Sequence, residues 1–452
     1  MPCVTLLDPR AAPVACDLLI ADGRIADRSA PGSRAYAEIE RRSEFSGSFV
    51  VPALADAHVH FPPDNILRLT KLFALLRLRH GVTLVRDAGD VDATATPAAL
   101  ALVLSGALPG PQIRYADAFI TSGHARWSNS LHFDRPEQAA EIVARLVRAG
   151  AHWVKSYENL DVPRIRALVA AARSAGLGVL GHVPTPLGQE EALLPDAQHL
   201  LGVPTPASIP RDHVLDRAAY WQSVDDARSE CVIAATAERG LALTPTLSAH
   251  AALLRFARYQ VDRDAADLRL LPRFFTSVVW HPEHGLPAYR NLTADDAARL
   301  SDALERKRRF VARCARAGIE LRLGTDTQQP FVVPGAALHR EIDEFVAAGL
   351  PRPGVWSLAS DGAGRALGVA NFGTLAVGGP ADAIVSARSP FEPGWSPQAI
   401  DAVVVSGTLL TTADLDLAIR RELRRFDGPL AGPATQWLAR AAMRRAASSY
   451  TS

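Results

Sequence analysis

Between residues 50 and 360, short apolar runs of strand length alternate with amphipathic stretches of helical length, and this alternation limits the fold more than any other feature. A strand, a helix and then another strand imply parallel pairing, because a parallel neighbour can be reached only through a crossover. Eight such runs can be placed, ending near His58, Asp87, Thr121, Tyr157, His182, His199, Thr246 and Asp326. Helical stretches follow most of them, at 136–149, 162–175, 223–239, 294–317 and 336–348. Eight βα units in about 300 residues predict an α/β fold, a (β/α)8 TIM barrel.

The two chain ends read differently. Residues 15–25 are short apolar runs broken by Asp22-Gly23, the signal of a hairpin with a tight turn. Phe372 to Gly379, Ala383 to Ser386 and Ala402 to Leu410 again read as short strands between glycine turns. Both ends are therefore expected to pair into one small β-sandwich. The resulting division is 1–52 for its first half, 53–360 for the barrel, 361–412 for its second half, and 413–452 for a helical tail. From His199 to Asp326 the chain uses more than 120 residues to supply one intervening strand, so 249–293 reads as an insertion, a lid over the barrel mouth or a solvated excursion. It holds Arg255, Arg258, Tyr259, Arg263, Arg269, Arg273, Trp280, His281 and Tyr289. The tail is rich in arginine (Arg420, Arg421, Arg424, Arg425, Arg440, Arg444, Arg445), a pattern open to a surface-docked helix or a contact with a membrane or partner.

Composition removes several classes of function. The 452 residues are 48% hydrophobic with a net charge of +1, which gives a large core and no basic face to displace counterions from nucleic acid. Cys3, Cys16, Cys231 and Cys314 form no Cys-x-x-Cys pair, so neither a disulfide framework nor a thiolate zinc site is indicated. There is no basic leader followed by an apolar run, and no apolar stretch of about 18 residues, so a cytoplasmic protein with no membrane association is expected. A small-molecule substrate is the expected partner. Self-association is expected only from the general frequency of symmetric oligomers.

The chemistry gathers at strand ends. Ala55-Asp-Ala-His58-Val-His60 closes an apolar run with two histidines that the two-residue strand period puts on one face. They read as half a metal site or as ordinary packed histidines. The chain has three lysines, at 71, 155 and 307, and Lys155 lies inside the apolar run Trp153-Val-Lys-Ser-Tyr157. A buried ammonium without a partner costs several kcal/mol. Lys155 therefore snorkels, forms a buried ion pair, or reacts with carbon dioxide to give a carbamate able to bridge two cations. His182, His199 and Asp326 each end a further strand. In a barrel all six would converge at the C-terminal mouth.

The order of these residues and their local sequences resemble the amidohydrolase superfamily, in particular its imidazolonepropionase-like and metal-dependent Xaa-Pro dipeptidase (prolidase) branch. The resemblance runs over nearly the whole chain. It includes Asp22-Gly-Arg-Ile, Ala55-Asp-Ala-His-Val-His, His80-Gly-Val-Thr-Leu-Val-Arg-Asp-Ala-Gly, Gly181-His-Val-Pro, Gly324-Thr-Asp-Thr and Gly373-Thr-Leu-Ala-Val-Gly-Gly-Pro-Ala-Asp. It implies two divalent metal ions: the more buried held by His58, His60 and Asp326, the second by His182 and His199, with carboxylated Lys155 bridging. Zinc suits these donors best, with manganese or iron as alternatives. The sequence departs from the family at Ala53, where glycine usually follows the proline; at Gln198, where glutamate often precedes the histidine; and in Thr327-Gln-Gln-Pro after Asp326. No ligand is lost.

The implied activity is hydrolysis of an amide or peptide-like C–N bond by a metal-bridging hydroxide, with Asp326 as general base and then acid. Tyr157 shares the inward face of Lys155 and is expected to donate to the substrate carbonyl or carboxylate, or else simply to pack. His124, just past the third strand, is a substrate contact or a plain loop residue. The insertion's arginines and aromatics favour a substrate with a carboxylate and an apolar part, such as a dipeptide or N-acyl amino acid. Hydrolysis or closure of a cyclic amide, lactone or imine at the same site, and a catalytically inactive scaffold, are the competing readings.

Overall fold

The hairpin at the N-terminal end shows how local sequence sets backbone here: Asp22 and Gly23 both take positive φ (50° and 74°), the pair of left-handed residues that a two-residue hairpin turn requires. The flanking strands Val14–Ala21 and Arg24–Ser29 pair antiparallel across it. The structure, a computed structural model, describes residues 1–33, 41–205 and 220–450.

Both chain ends enter one sheet of seven strands. Its order is Thr408–Thr411, Ile400–Val405, Ala383–Ser386, Phe49–Pro52, Val4–Leu6, Val14–Ala21 and Arg24–Ser29. Phe49–Pro52, the link to the rest of the chain, pairs antiparallel with Ala383–Ser386 and parallel with Val4–Leu6. The stretch Phe372 to Gly379, read above as a strand, is a series of turns. Asn371, Gly373, Leu375 and Gly378 all have positive φ there, which breaks the extended repeat that a ladder needs.

The middle of the chain forms two parallel sheets. One holds Leu54–Val59, Val82–Asp87 and Gln112–Tyr115. The other runs Glu320–Leu321, Ala242–Thr244, Asp196–Gln198, Gly178–Gly181, Trp153–Ser156, Phe119–Thr121 and Ser130–His132, every pair parallel. Backbone bonds connect the two at both edges. On one side His152 N–H, just before Trp153–Ser156, donates to Tyr115 O at 2.9 Å. On the far side Ala57 N–H donates to Leu323 O at 2.8 Å, and Val59 bridges Thr327 in parallel.

Helices Thr70–Arg79, Ala95–Leu104, Ala139–Arg148, Val162–Ser174, Asp226–Glu238, Ala294–Arg316 and Ala336–Ala347 follow strands, as crossovers must. Their starts are written locally: Asp161 caps Val162–Ser174 through Arg164 N–H, and Thr293 and Asp296 form a reciprocal capping box. The largest apolar cluster, from Val59, Val85, Ile120, Val154, Val179, Leu243 and Leu323 out to Leu168, Phe310 and Phe345, joins these strands to their helices.

The insertion is not a free flap. Phe256, Tyr259, Leu268, Leu271, Phe274 and Trp280 share an apolar cluster with Leu72 and Phe73 of the first helix and with Leu415, Ile419 and Phe426 of the tail helix Thr412–Asp427. A last helix, Ala431–Tyr450, follows. Among the described residues, no helix is long and apolar enough to cross a membrane.

Candidate metal centre

His58 and His60 end Leu54–Val59 as the two-residue period requires, and their rings stand 5.3 Å apart. His199 lies 4.7 Å from His58 and 4.9 Å from His182, ring to ring. Asp326 sits among them: its Oδ1 is 3.5 Å from both His58 Nε2 and His60 Nε2, and its Oδ2 is 3.9 Å from His199 Nδ1. The donor atoms of His58, His199 and Asp326 all fall within 4.8 Å of one another.

Lys155 is fully buried on the strand beside Gly178–Gly181, and its Nζ has no hydrogen-bond partner. Burial pushes it down to about 7, against the opposing pull of Asp326. Burial, with Lys155 adding to it, likewise holds His58 well below the usual imidazole range; for His199 burial dominates over Asp326. Burial alone would raise Asp326, but His199, His60 and His58 keep it well below the usual carboxylate range. Burial thus favours neutral imidazoles at His58 and His199, beside an anionic Asp326 and an amine brought down to about 7.

The imidazoles are held in one tautomer. His60 Nδ1 donates to Gly89 O at 2.7 Å, and His58 Nδ1 donates to Gln198 Oε1, so both lone pairs sit on Nε2, facing Asp326. Gln198, flagged above as a departure, therefore takes the outer-shell position through its amide oxygen. Its own Nε2 donates to Asp196 Oδ1 at 2.6 Å. Asp196 in turn accepts from Arg86 Nη2 and Arg322 Nη1, both at 2.7 Å, and from Thr244 Oγ1 at 2.8 Å. On the other flank Asp56 accepts from Thr325 N–H, Thr325 Oγ1 and His58 N–H, tying the Asp326 turn to the His58 strand. Gly324 is required there, since a Cβ would lie 2.6 Å from His58 Cβ.

His199, Thr246 and Asp326 adopt left-handed backbone at φ 61°, 51° and 55°. Such residues persist only where surrounding contacts fix them, and they cluster at functional sites. One fixing contact is Glu341, fully buried, which accepts from Leu247 N–H and Ser248 N–H at 3.0 and 2.6 Å just after Thr246. Thr246 Oγ1 in turn shares a 2.8 Å hydrogen bond with His199 Nδ1. Glu341→Ala leaves two buried donors unpaired and is expected to lower unfolding free energy by about 1–3 kcal/mol in a denaturant titration. An unchanged midpoint would remove Glu341 from this role.

Tyr157 is buried, its ring 4.6 Å from that of His182, and its hydroxyl accepts from Trp127 Nε1 at 3.2 Å. Glu158, which the sequence reading passed over, lies 3.8 Å from His182 Nδ1. His124 is exposed in the bend after Phe119–Thr121 and makes no hydrogen bond, ion pair or ring contact among the described residues. Of the insertion's arginines named above, four have acidic or carbonyl partners within it. Arg255 pairs with Asp267, Arg258 with Asp262 and Arg263 with Asp264, while Arg269 donates to Asp264 O.

A parallel α/β scaffold that gathers imidazoles and a carboxylate at its strand ends is an architecture of hydrolases acting on carbon–nitrogen bonds, and this enzyme is of that class. The chain belongs to the amidohydrolase family, which it matches over residues 49–410. Solved structures share the fold. A bottromycin amidohydrolase is 24% identical, with 93% of this chain and 90% of that one covered at a TM-score of 0.71. A putative prolidase from Bifidobacterium longum is 22% identical, with coverage of 93% and 97% and a TM-score of 0.64. A Xaa-Pro dipeptidase with bound methionine in the active site is 18% identical, with coverage of 90% and 98% and a TM-score of 0.63. No curated protein sequence matches the chain.

Proposed function

We propose that this chain is a divalent-metal-dependent hydrolase of an amide or peptide-like bond, acting on a dipeptide or N-acyl amino acid at the pocket formed by His58, His60, Lys155, His182, His199 and Asp326. The observation that carries the reading is a pair of buried nitrogens without hydrogen-bond partners, His58 Nε2 and Lys155 Nζ, gathered with His60, His182, His199 and the anionic Asp326. Such a donor set fits two cations and leaves these atoms otherwise unexplained. The (β/α)8 barrel reading is supported by the backbone bonds that join the two parallel sheets at both edges, and the sandwich reading by the apolar cluster of Val4, Leu6, Leu18, Val50, Val385 and Val404.

His58, His60 and Asp326 would hold one ion, His182 and His199 the other, with Lys155 between them. When bound, the ions supply Lewis acidity, which polarises a carbonyl and makes water acidic enough to react near neutral pH. Lys155 prepares itself for the bridging role: its neutral amine adds to carbon dioxide, the new N–C bond forms as an electron pair moves onto oxygen, and the nitrogen proton leaves to solvent. The product is a carbamate anion. Asp326 takes a proton from the attacking water and returns it to the departing nitrogen, so that a carboxylate and an amine leave. The Gln198 and Gly89 contacts keep the His58 and His60 lone pairs turned inward throughout. The peptide-like substrate class rests on the structural relatives, two of which are described as a prolidase and a Xaa-Pro dipeptidase.

Tyr157, beside His182, would donate to the substrate carbonyl or carboxylate. Tyr157→Phe is expected to lower kcat/KM by about 10²–10³-fold, the scale of a lost transition-state donor, and a loss under about 10-fold would make it a packing residue. The proposal as a whole is tested by screening linear dipeptides and N-acyl amino acids against metal-loaded wild type, Lys155→Ala and Asp326→Asn. Turnover by the wild type, none by Lys155→Ala and about 10²–10⁴-fold less by Asp326→Asn is expected; full activity in either variant would sink the mechanism.

A further inference from the structure

Away from the strand ends, the insertion carries a second group of donors. The ligand atoms of His281, Glu283 and His284 all lie within 4.8 Å of one another. Among the described residues only this group and the strand-end cluster meet that spacing. All three sit on a single turn, His281-Pro-Glu-His-Gly285.

The turn is rigid. Gly285 N–H donates to His281 O, Leu286 N–H to Val279 O and Asn291 N–H to Pro282 O, each at 2.9 Å. Arg290 closes over it, its Nε reaching Gly285 O at 2.8 Å and its Nη2 reaching His284 O at 3.2 Å. Gly285 has no room for a side chain, since a Cβ would stand 2.8 Å from His281 N and closer still to two carbonyl oxygens. The two imidazoles lie face to face, with centroids 3.5 Å apart and planes 20° from parallel. Tyr259 packs edge-on against His281 at 5.1 Å, its hydroxyl anchored on Thr276 O. His281 Nδ1 accepts the Glu283 N–H at 3.2 Å, so one lone pair is already turned over the loop. Two stacked imidazoles beside a carboxylate do little for packing, but they offer two nitrogen donors and one oxygen donor on a backbone already ordered to present them.

We propose that this turn is a separate binding site for one divalent transition cation of the zinc, nickel or copper class, held by His281, Glu283 and His284, with water completing the shell. Imidazole nitrogens select this class over magnesium or calcium. The cation would take the lone pair that His281 now offers to the Glu283 N–H. The insertion has reason to carry such a clip. Between Leu254 and Thr293 its regular pieces are Tyr259–Asp262, Leu268–Leu270, Phe275–Val279 and Pro287–Tyr289, none longer than five residues. A cross-link within so irregular a segment removes freedom from its open forms. The segment also touches the catalytic side: Tyr289 hydroxyl donates to Gln329 Oε1 at 2.8 Å, and Gln329 N–H to Asp326 O at 3.1 Å.

The test compares full-length wild type, His281→Asn/His284→Asn and His58→Asn/His60→Asn, each stripped with a chelator, dialysed against Zn2+ and analysed for metal per chain. The first double variant is expected to hold one equivalent fewer than wild type, and the second to keep that equivalent while losing zinc from the strand-end pocket. Equal metal content in wild type and His281→Asn/His284→Asn would overturn the proposal, whatever the strand-end pocket binds. Glu283 is exposed, so Glu283→Gln serves as a variant that leaves the fold alone. It is expected to weaken zinc binding at the turn by about 10-fold or more, and unchanged affinity would count equally against the site.

Discussion

Replacing Asp326 by asparagine is expected to lower kcat/KM by about 10²–10⁴-fold, the range that a positioned proton-transfer group supplies. The substitution isolates the chemistry. Asparagine is among the few residues that accept the left-handed backbone Asp326 adopts at φ 55°, so the turn should survive. It keeps an oxygen toward His58 and His60, which lie 3.5 Å from the present carboxylate, but cannot take up and return a proton. Steady-state kinetics on metal-loaded variant and wild type, with circular dichroism to confirm the fold, reads the difference. A variant within a few-fold of wild type would mean that another group moves the proton.

The second large effect separates function from stability. Lys155→Met is expected to abolish activity and weaken metal binding in the strand-end pocket, because no carbamate can form. In the metal-free protein, however, the same change is expected to raise stability, since it replaces a buried, unpartnered amine with a side chain suited to the interior. The sign with pH follows from the amine's shift to about 7 from 10.5. Between those values the unfolded chain binds the proton and the folded chain does not, so the metal-free wild type gains stability from Lys155 as pH rises from about 7 toward 10.5. Lys307, also pushed down to about 7 by burial, contributes in the same direction, so Lys155→Met should reduce the slope and not abolish it. Denaturant midpoints of the two metal-free proteins at pH 7 and pH 9.5 measure this. A variant less stable than wild type at pH 7, or a slope unaltered by the substitution, would show that Lys155 is partnered in solution.

Much of this pocket could be read from the chain because each ligand candidate announces itself locally. His58 and His60 sit two apart in an apolar strand, Lys155 is a charged residue in an apolar run, and His182, His199 and Asp326 stand where runs end. What holds them in place could not be read. Asp196 joins Gln198, Arg86 and Arg322, and the two arginines lie 110 and 126 residues from it in sequence, so the network exists only once the strands are neighbours. Glu341 reaches back 94 residues to the turn after Thr246 for the same reason. In the insertion, composition does not reveal that Asp262, Asp264 and Asp267 pair with Arg258, Arg263 and Arg255. Phe372 to Gly379 failed as a strand because Gly373, Leu375 and Gly378 take positive φ, and at Leu375 nothing in the residue type announces it.

Amide hydrolysis by the full-length protein before and after chelation, followed by zinc restoration in the presence of bicarbonate, decides whether a divalent metal at this pocket carries the reaction. The chelated protein is expected to be inactive, with activity returning as zinc refills the strand-end pocket in wild type but not in Lys155→Met. Undiminished turnover by protein shown to contain no divalent metal would contradict it.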